Sequence, residues 1–274
     1  MYCKFYGLKE EPFNITPDPD FFFLTKKHED AFVNLLFGIK RRKGFMVITG
    51  PVGAGKTTLY RILLNRLGND VKSALIINPS LSPVQLLQTI IEDFEIEVQK
   101  KNRKGYFDAL NRFLMEVAGR GGTSILILDE AQNLKPSTLE QIRLLSNFET
   151  NKKKLLQIIM IGQPELRDLL AKPNMTQIRQ RITISTNLAP LDREETAEYI
   201  AHRIKVAGGK GMLIFDGKAV DEIFRYSQGI PRLINILCDN ALLMDYMKNR
   251  GQEVRDFIEG AGPDLEEPKP DPNL

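Results

Sequence analysis

The chain has 274 residues, of which 42% are hydrophobic and 27% charged. That length and mix suffice for one or two globular domains with a buried core, and they exclude a disordered or fibrous chain. Net charge is +3, but residues 251–274 hold seven acids and two bases, so the preceding 250 carry 36 bases against 28 acids. Such a basic body either meets nucleic acid or an acidic partner, or presents a solvated surface of mixed sign.

No apolar run approaches the ~18–20 residues needed to cross a bilayer. Met1-Tyr2-Cys3-Lys4 opens no apolar signal region, so a cytoplasmic, reduced protein is expected. Cys3, Cys238, His28 and His202 match no metal spacing, and no structural zinc is expected.

The first 27 residues are rich in aromatics and prolines and predict an extended segment, because proline disfavours helix at and before its position. A helix should run from His28 to Lys40. Next come a strand at Phe45–Thr49, a helix at Lys56–Leu67 and a strand at Ala74–Ile77. Ser82-Pro83 is a helix start, with Ser as cap and Pro in the first turn, and that helix should reach Phe94. A helix over residues 105–118, a strand at Ser124–Leu128, a helix at Pro136–Phe148, and strands at Leu156–Gly162 and Ile182–Leu188 follow. Apolar strands alternating with amphipathic helices predict an α/β fold, a parallel sheet covered on both faces. After Pro190 only helices are expected, at Asp192–Val206, Gly217–Ser227 and Pro231–Lys248. The expected organisation is an α/β domain over 1–190 with its extended N-terminal segment, a small all-α domain over 191–250, and a flexible acidic Pro-rich tail over 251–274.

The strongest motif is Gly50-Pro51-Val52-Gly53-Ala54-Gly55-Lys56-Thr57-Thr58, which carries Gly-x4-Gly-Lys-Thr between a predicted strand and a predicted helix. Glycines there let backbone N–H groups converge on phosphate oxygens, the helix N-terminus adds positive potential, Lys56 reaches the terminal phosphates, and Thr57 offers its hydroxyl to Mg²⁺. Ile125-Leu-Ile-Leu-Asp129-Glu130 places two acids at the carboxyl end of an interior strand, the edge where α/β sheets bind ligands. Asp129 would serve Mg²⁺ and Glu130 would polarise the attacking water. Helix capping is the plainer alternative for either acid.

A P-loop followed by Asp129-Glu130 and a small helical domain resembles the AAA+ ATPases, over about residues 28–250. Within them the chain is similar to the general secretion pathway protein A (ExeA-type) family. The resemblance rests on Phe5-Tyr-Gly-Leu-Lys-Glu-Glu-Pro-Phe13, Thr16-Pro-Asp-Pro-Asp20, residues 44–58, Leu128-Asp-Glu-Ala-Gln132, Ile161-Gly-Gln-Pro-Glu-Leu166 and Gly229-Ile-Pro-Arg-Leu-Ile-Asn235. It implies an AAA+ sheet with a helical lid, ATP and Mg²⁺ as cofactors, and hydrolysis to ADP and phosphate by a homo-oligomer, in a ring or another assembly. It implies a sensor at Gln163, which could otherwise only cap the following helix, with Gln132 as a second polar candidate near the attacking water. It implies an arginine finger at Arg181, or else Arg179, which could otherwise be ordinary surface arginines. Arg232 resembles the lid arginine that touches nucleotide, with lid packing as its alternative.

The same resemblance implies work on a secretion or pilus apparatus with an envelope partner. Family members continue past the ATPase into a membrane span and a peptidoglycan-binding domain, whereas this sequence stops after its Pro-rich stretch. The expected location is the cytoplasm, either free or held at the inner membrane by a partner or by a C-terminal region. Two other readings stay open. One is a DNA-associated helper or initiator, allowed by the basic body although no dedicated DNA motif is evident. The other is a nucleotide switch with little turnover, against which Glu130 argues. Phe21–Phe23 is either part of an adenine pocket or, preferably, a packing cluster. Lys40-Arg-Arg-Lys43 is either a phosphate contact or, preferably, a solvated helix end.

Overall fold

A computed structural model describes residues 2–16, 18–68, 70–77, 79–151, 153–209 and 214–248. The expected acidic tail over 251–274, the last two residues of the expected helical domain, and Lys210 lie outside the described residues. The chain divides into two compact units. One comprises Lys26–Pro51 and Leu59–Leu188; the other comprises the described residues of Met1–Thr25, Val52–Thr58 and Ala189–Leu274.

The first unit is built on a parallel sheet of five strands: β1 (Phe45–Thr49), β2 (Val71–Ile76), β3 (Thr123–Leu128), β4 (Leu156–Gly162) and β5 (Ile182–Asn187), in the order β2-β3-β4-β1-β5. Around it run α2 (Lys26–Lys40), α3 (Lys56–Arg66), α4 (Pro83–Asp93), α5 (Arg103–Gly119), α6 (Pro136–Leu145), α7 (Glu165–Ala171) and α8 (Thr176–Arg179), numbered after the short N-terminal helix α1 (Tyr2–Phe5). Residues of β1 and β4 are buried without exception, as interior strands with helices on both faces require.

Strand alternation shows the two faces directly. Phe45, Val47, Leu126, Leu128, Ile158 and Met160 join the cluster that holds Leu86, Leu110 and Ile142 of α4, α5 and α6. Met46, Ile48, Ile125, Ile127, Ile159 and Ile161 are equally buried from the other face. There α2 comes so close that a Cβ at Gly38 would lie 2.5 Å from Met46 Sδ. The helix start foreseen at Ser82-Pro83 is a full capping box: Ser82 accepts from the Gln85 amide, and the Gln85 side chain accepts from the Ser82 amide.

Two strands differ from expectation because they are edges. β2 begins at Val71 rather than Ala74, and Lys72 and Ser73 face solvent. β5 alternates half-buried and exposed residues instead of reading as apolar throughout. α6 stops at Leu145, and a turn at Ser146 and Asn147 and a bridge between Glu149 and Lys154 come before β4.

The second unit is helical, with α9 (Arg193–Val206), α10 (Gly217–Ser227) and α11 (Pro231–Lys248). The N-terminal residues belong here, which corrects their expected placement with the sheet. Tyr2, Tyr6, Leu8, Phe13 and Phe21 are buried among Tyr199, Ile204, Phe215, Leu237 and Cys238. The segment is also not wholly extended, since Tyr2–Phe5 is the helix α1 and Pro19–Phe21 is a 3₁₀ turn. The physical reason is aromatic area. A run this rich in Phe and Tyr gains more by inserting its rings than by lying across a surface.

Polar anchors hold the segment in place. Tyr2 and Tyr6 donate their hydroxyls to Asp239 and Asp245 of α11, and burial followed by those bonds raises both phenol pKa values. Buried Arg203 donates to Pro12 O, to Asn14 O at 3.1 Å and to the Tyr199 hydroxyl at 3.1 Å, with its guanidinium 4.8 Å from the Phe21 ring centre. Phe23 packs against Tyr199, and Phe21 is buried in the same cluster, so these two rings serve packing. Arg203→Ala strips several acceptors at once, and each buried group left unpaired costs about 1–3 kcal/mol. The variant is expected to melt at clearly lower urea, with loss of α1; an unchanged midpoint would show that Arg203 anchors nothing.

Candidate active site

Parallel strands put all their carboxyl ends on one edge, and the chemistry-bearing residues of the sheet collect there. Thr49↔Gly162, Leu128↔Met160 and Thr49↔Asn187 are in register across β3, β4, β1 and β5. Gly50 leaves this edge directly. Its amide donates to Gly162 O at 3.3 Å, and a Cβ on it would meet Leu188 O at 2.6 Å, so the first motif glycine is set by close packing.

The loop from Pro51 to Gly55 then enters α3. Gly53 and Gly55 both have positive φ, +79° and +87°. In the helical unit, a Cβ on Gly53 would lie 2.6 Å from Arg232 Cβ and 3.2 Å from Ile230 Cγ2. Arg232, which opens α11, is therefore packed against the loop and has an exposed side chain. Val52 is exposed, Ala54 is buried, and Pro51, Thr57 and Thr58 are half-buried. Lys56 is buried and begins α3, whose first turn holds no acid, so the positive end of this helix is not offset by a carboxylate of its own.

On β3 the acids stand where the sequence places them. Asp129 is buried and its amide donates to Ile76 O at 2.9 Å. It lies close enough to Tyr60 of α3 that its charge adds to burial in raising the phenol pKa. Asp129 Oδ1 accepts the Glu130 amide at 2.9 Å. Glu130 itself has left-handed backbone, φ +51°, and Ala131–Asn133 continues as a 3₁₀ turn. Neither acid caps a helix: Glu130 precedes that turn without a side-chain capping bond, and α6 begins later at Pro136.

Glu130 Oε2 accepts from Gln132 Nε2 at 2.5 Å and from Gln163 Nε2 at 3.2 Å. Gln132 Oε1 in turn accepts the Gln163 amide at 3.1 Å. Gln163, just beyond β4, thus meets the acid at the end of β3 rather than capping α7. Nothing in the spacing alone joined Gln132 to Gln163; the one available signal was an amide two residues after the acid in a tight turn. Asn187, which accepts from Thr49 Oγ1 at 3.2 Å on the same edge, was not singled out in the sequence at all.

The arginines lie at the opposite edge, before β5. Arg181 Nη1 donates to Ser146 Oγ at 2.9 Å and Asn147 Oδ1 at 2.7 Å, and Arg179 Nη1 donates to Ala171 O at 3.1 Å. They share that edge with other cations. Lys40, Arg41, Arg42 and Lys43 precede β1, Arg120 precedes β3, and Lys153 and Lys154 precede β4. Thr57 in the helical unit and Asp129 in the sheet unit each carry an oxygen of the hard type that Mg²⁺ takes. Among the described residues no group of three or more His, Cys, Asp or Glu could hold a metal by itself.

A sequence profile described as "AAA domain" matches residues 39–170. General secretion pathway protein A of Aeromonas hydrophila is 42% identical over 259 residues, covering 94% of this chain and 47% of that protein. Among solved structures, Drosophila ORC bound to DNA has a TM-score of 0.70 at 18% identity, covering 92% of this chain and 63% of that one. Aeropyrum pernix ORC2 has a TM-score of 0.64 at 16% identity, covering 93% and 71%. These two likenesses concern the fold alone. The P-loop, the acid pair and the parallel sheet make this an AAA+ protein. Within that class the chain belongs to the general secretion pathway protein A (ExeA-type) family of ATPases. It spans about half the length of the curated relatives it matches.

Gly53→Ala places a methyl against Arg232 in a positive-φ position. It is expected to cost about 1–3 kcal/mol and to weaken binding of a fluorescent ATP analogue at least tenfold. Parental melting and affinity together would mean the loop is not held as described.

Proposed function

We propose that the chain binds ATP with Mg²⁺ and hydrolyses it to ADP and phosphate as an oligomeric AAA+ ATPase. The observation that carries this reading is the Glu130 carboxylate, held by two amides at the carboxyl edge from which the P-loop departs. Gly50, Pro51, Val52, Gly53, Ala54, Gly55, Lys56, Thr57 and Thr58 would cradle the phosphates, and Arg232 would contact the nucleotide from the helical lid. Thr57 and Asp129 would hold Mg²⁺, which supplies charge neutralisation on the phosphate oxygens. Glu130 accepts a proton from water, the water oxygen attacks the γ-phosphorus, and the bond to the ADP oxygen breaks to leave ADP and inorganic phosphate. Gln163 lies within hydrogen-bond reach of Glu130 and would respond to the γ-phosphate.

Arg181 and Arg179 stand at the edge opposite Glu130, so they would serve a neighbouring subunit's site rather than their own. An arginine supplied to phosphoryl transfer is worth about 10³–10⁵ in rate. That requires an assembly, in ring or other form. The family supports secretion or pilus assembly at the cell envelope as the driven process, through a protein partner. Among the described residues no helix is long and apolar enough to cross a membrane. A cytoplasmic location, with attachment to the inner membrane through a partner or a further region, is the reading we favour.

A phosphate-release assay with parallel ATP binding tests the assignment. Lys56→Ala should lose binding. Glu130→Gln should bind ATP and lose at least about 100-fold in turnover, the lower range for a general base. Arg181→Ala should bind normally and turn over slowly, and its rate should no longer rise with protein concentration. Parental turnover in Lys56→Ala or Glu130→Gln would refute the ATPase reading; parental turnover in Arg181→Ala would refute the finger.

A second reading, a DNA-associated ATPase, is favoured by one observation. The amino edge of the sheet gathers Lys40, Arg41, Arg42, Lys43, Arg120, Lys153 and Lys154, with Glu116 and Glu149 as their paired acids. Contacts to phosphate of this kind weaken steeply with salt. ATP-dependent binding of a labelled duplex at near-physiological salt, abolished by Lys40→Glu with Lys43→Glu, is the outcome that reading expects. Absence of binding under conditions where ATP binds would leave the secretion reading alone.

A further inference from the structure

The Glu130 carboxylate is not placed by its own rotamer alone. Its Oε2 takes two N–H donors, one from Gln132 and one from Gln163. Gln132 uses both ends of its amide, donating Nε2 to Glu130 and accepting the Gln163 backbone N–H on Oε1. This fixes the amide orientation. A flipped Gln132 would set an oxygen against a carboxylate and an N–H₂ against an N–H, which loses both bonds and adds two repulsions. Room for the amide comes from Gly162, where a Cβ would lie 2.8 Å from Gln132 Oε1. The backbone joins in, because left-handed Glu130 and the 3₁₀ turn after it bring residue 132 back alongside residue 130. Three side chains and one main-chain amide therefore form a closed loop between the ends of β3 and β4.

We infer that Gln132 is a positioning residue for hydrolysis: it latches the Glu130 carboxylate to the end of β4, so that Oε2 is occupied by amide donors and Oε1 is presented to water, and it makes the position of Glu130 depend on that of Gln163. This rests on Glu130 acting as the base. Gln132 itself touches neither proton nor phosphate. The competing explanation is a brace, in which Gln132 only secures the turn after β4 through its Oε1.

Two substitutions separate these roles. Gln132→Glu keeps an acceptor for the Gln163 amide and replaces the donor to Glu130 with a like-charged oxygen. Gln132→Met keeps the volume and removes both bonds. A latch predicts that both variants bind ATP and reach half-saturation as the parent does while kcat falls about 10- to 100-fold, the scale of a misplaced catalytic group. A brace predicts that the loss in Gln132→Met is repeated in full in the Glu130→Gln background. Urea midpoints measured alongside identify any variant that is merely unfolded, and the remaining one still decides. In the Glu130→Gln background, Gln132→Met should add no further loss to the single-turnover rate, since nothing is left to position. Parental kcat in Gln132→Glu, or a full additional loss in the double variant, overturns the latch. Parental turnover in Glu130→Gln alone would remove the base, and the latch with it, whereas a slow Glu130→Gln with a fast Gln132→Glu would reject only the latch.

Discussion

Every strand of the sheet points the same way, and that one constraint distributes the chemistry. Parallel pairing requires each strand to be followed by a crossover, so the turns at the carboxyl edge are free to carry function while helices cover the faces. Thr49, Gly162 and Asn187 end strands at this edge and are level in the ladder register, and Asp129 follows the last residue of β3. The amino edge collects several cations. Arg179, Arg181 and the lysines before β1 and β4 sit a full strand length from Glu130, where their charge cannot form ion pairs with it.

Local strain and hydrogen bonding balance at the turn after β3. Glu130 occupies a backbone region that costs a non-glycine residue of order 1 kcal/mol or more. Asp129 Oδ1 accepts its amide, and two side-chain amides donate to its carboxylate. Bonds to a charged acceptor are about twice as strong as neutral ones. The strained turn is thereby over-determined by partners on two strands, which is how a short loop can hold a carboxylate in one place without a helix to support it. Arg203 plays a comparable part in the helical unit, where one buried guanidinium satisfies carbonyls that an irregular N-terminal segment could not pair by itself.

Most regular elements were legible because burial imposes a period. β1, β3 and β4 are interior strands with near-continuous apolar runs, and Ser82-Pro83 and Asp192 mark helix starts through side-chain capping that needs only neighbouring residues. The edges were less legible. β2 opens with Lys72 and Ser73 on a solvated flank, so its pattern does not announce a strand. The N-terminal segment was misplaced for a different reason. Its prolines exclude long helices, but local sequence says nothing about which distant surface will take Tyr2, Tyr6, Phe13 and Phe21.

The P-loop and the acid pair could be read from the sequence because their chemistry is local: a strand, a glycine turn and a helix N-terminus are contiguous in the chain, and so are Asp129 and Glu130 with the apolar run that buries them. What only the tertiary structure decided are the meetings between residues remote in sequence. Gln163 reaches Glu130 across 33 positions because β3 and β4 are neighbours, Gly53 is constrained by Arg232 from another element, and Arg203 gathers residues 12 and 14. Such contacts are set by strand order and packing, which no single stretch of sequence encodes.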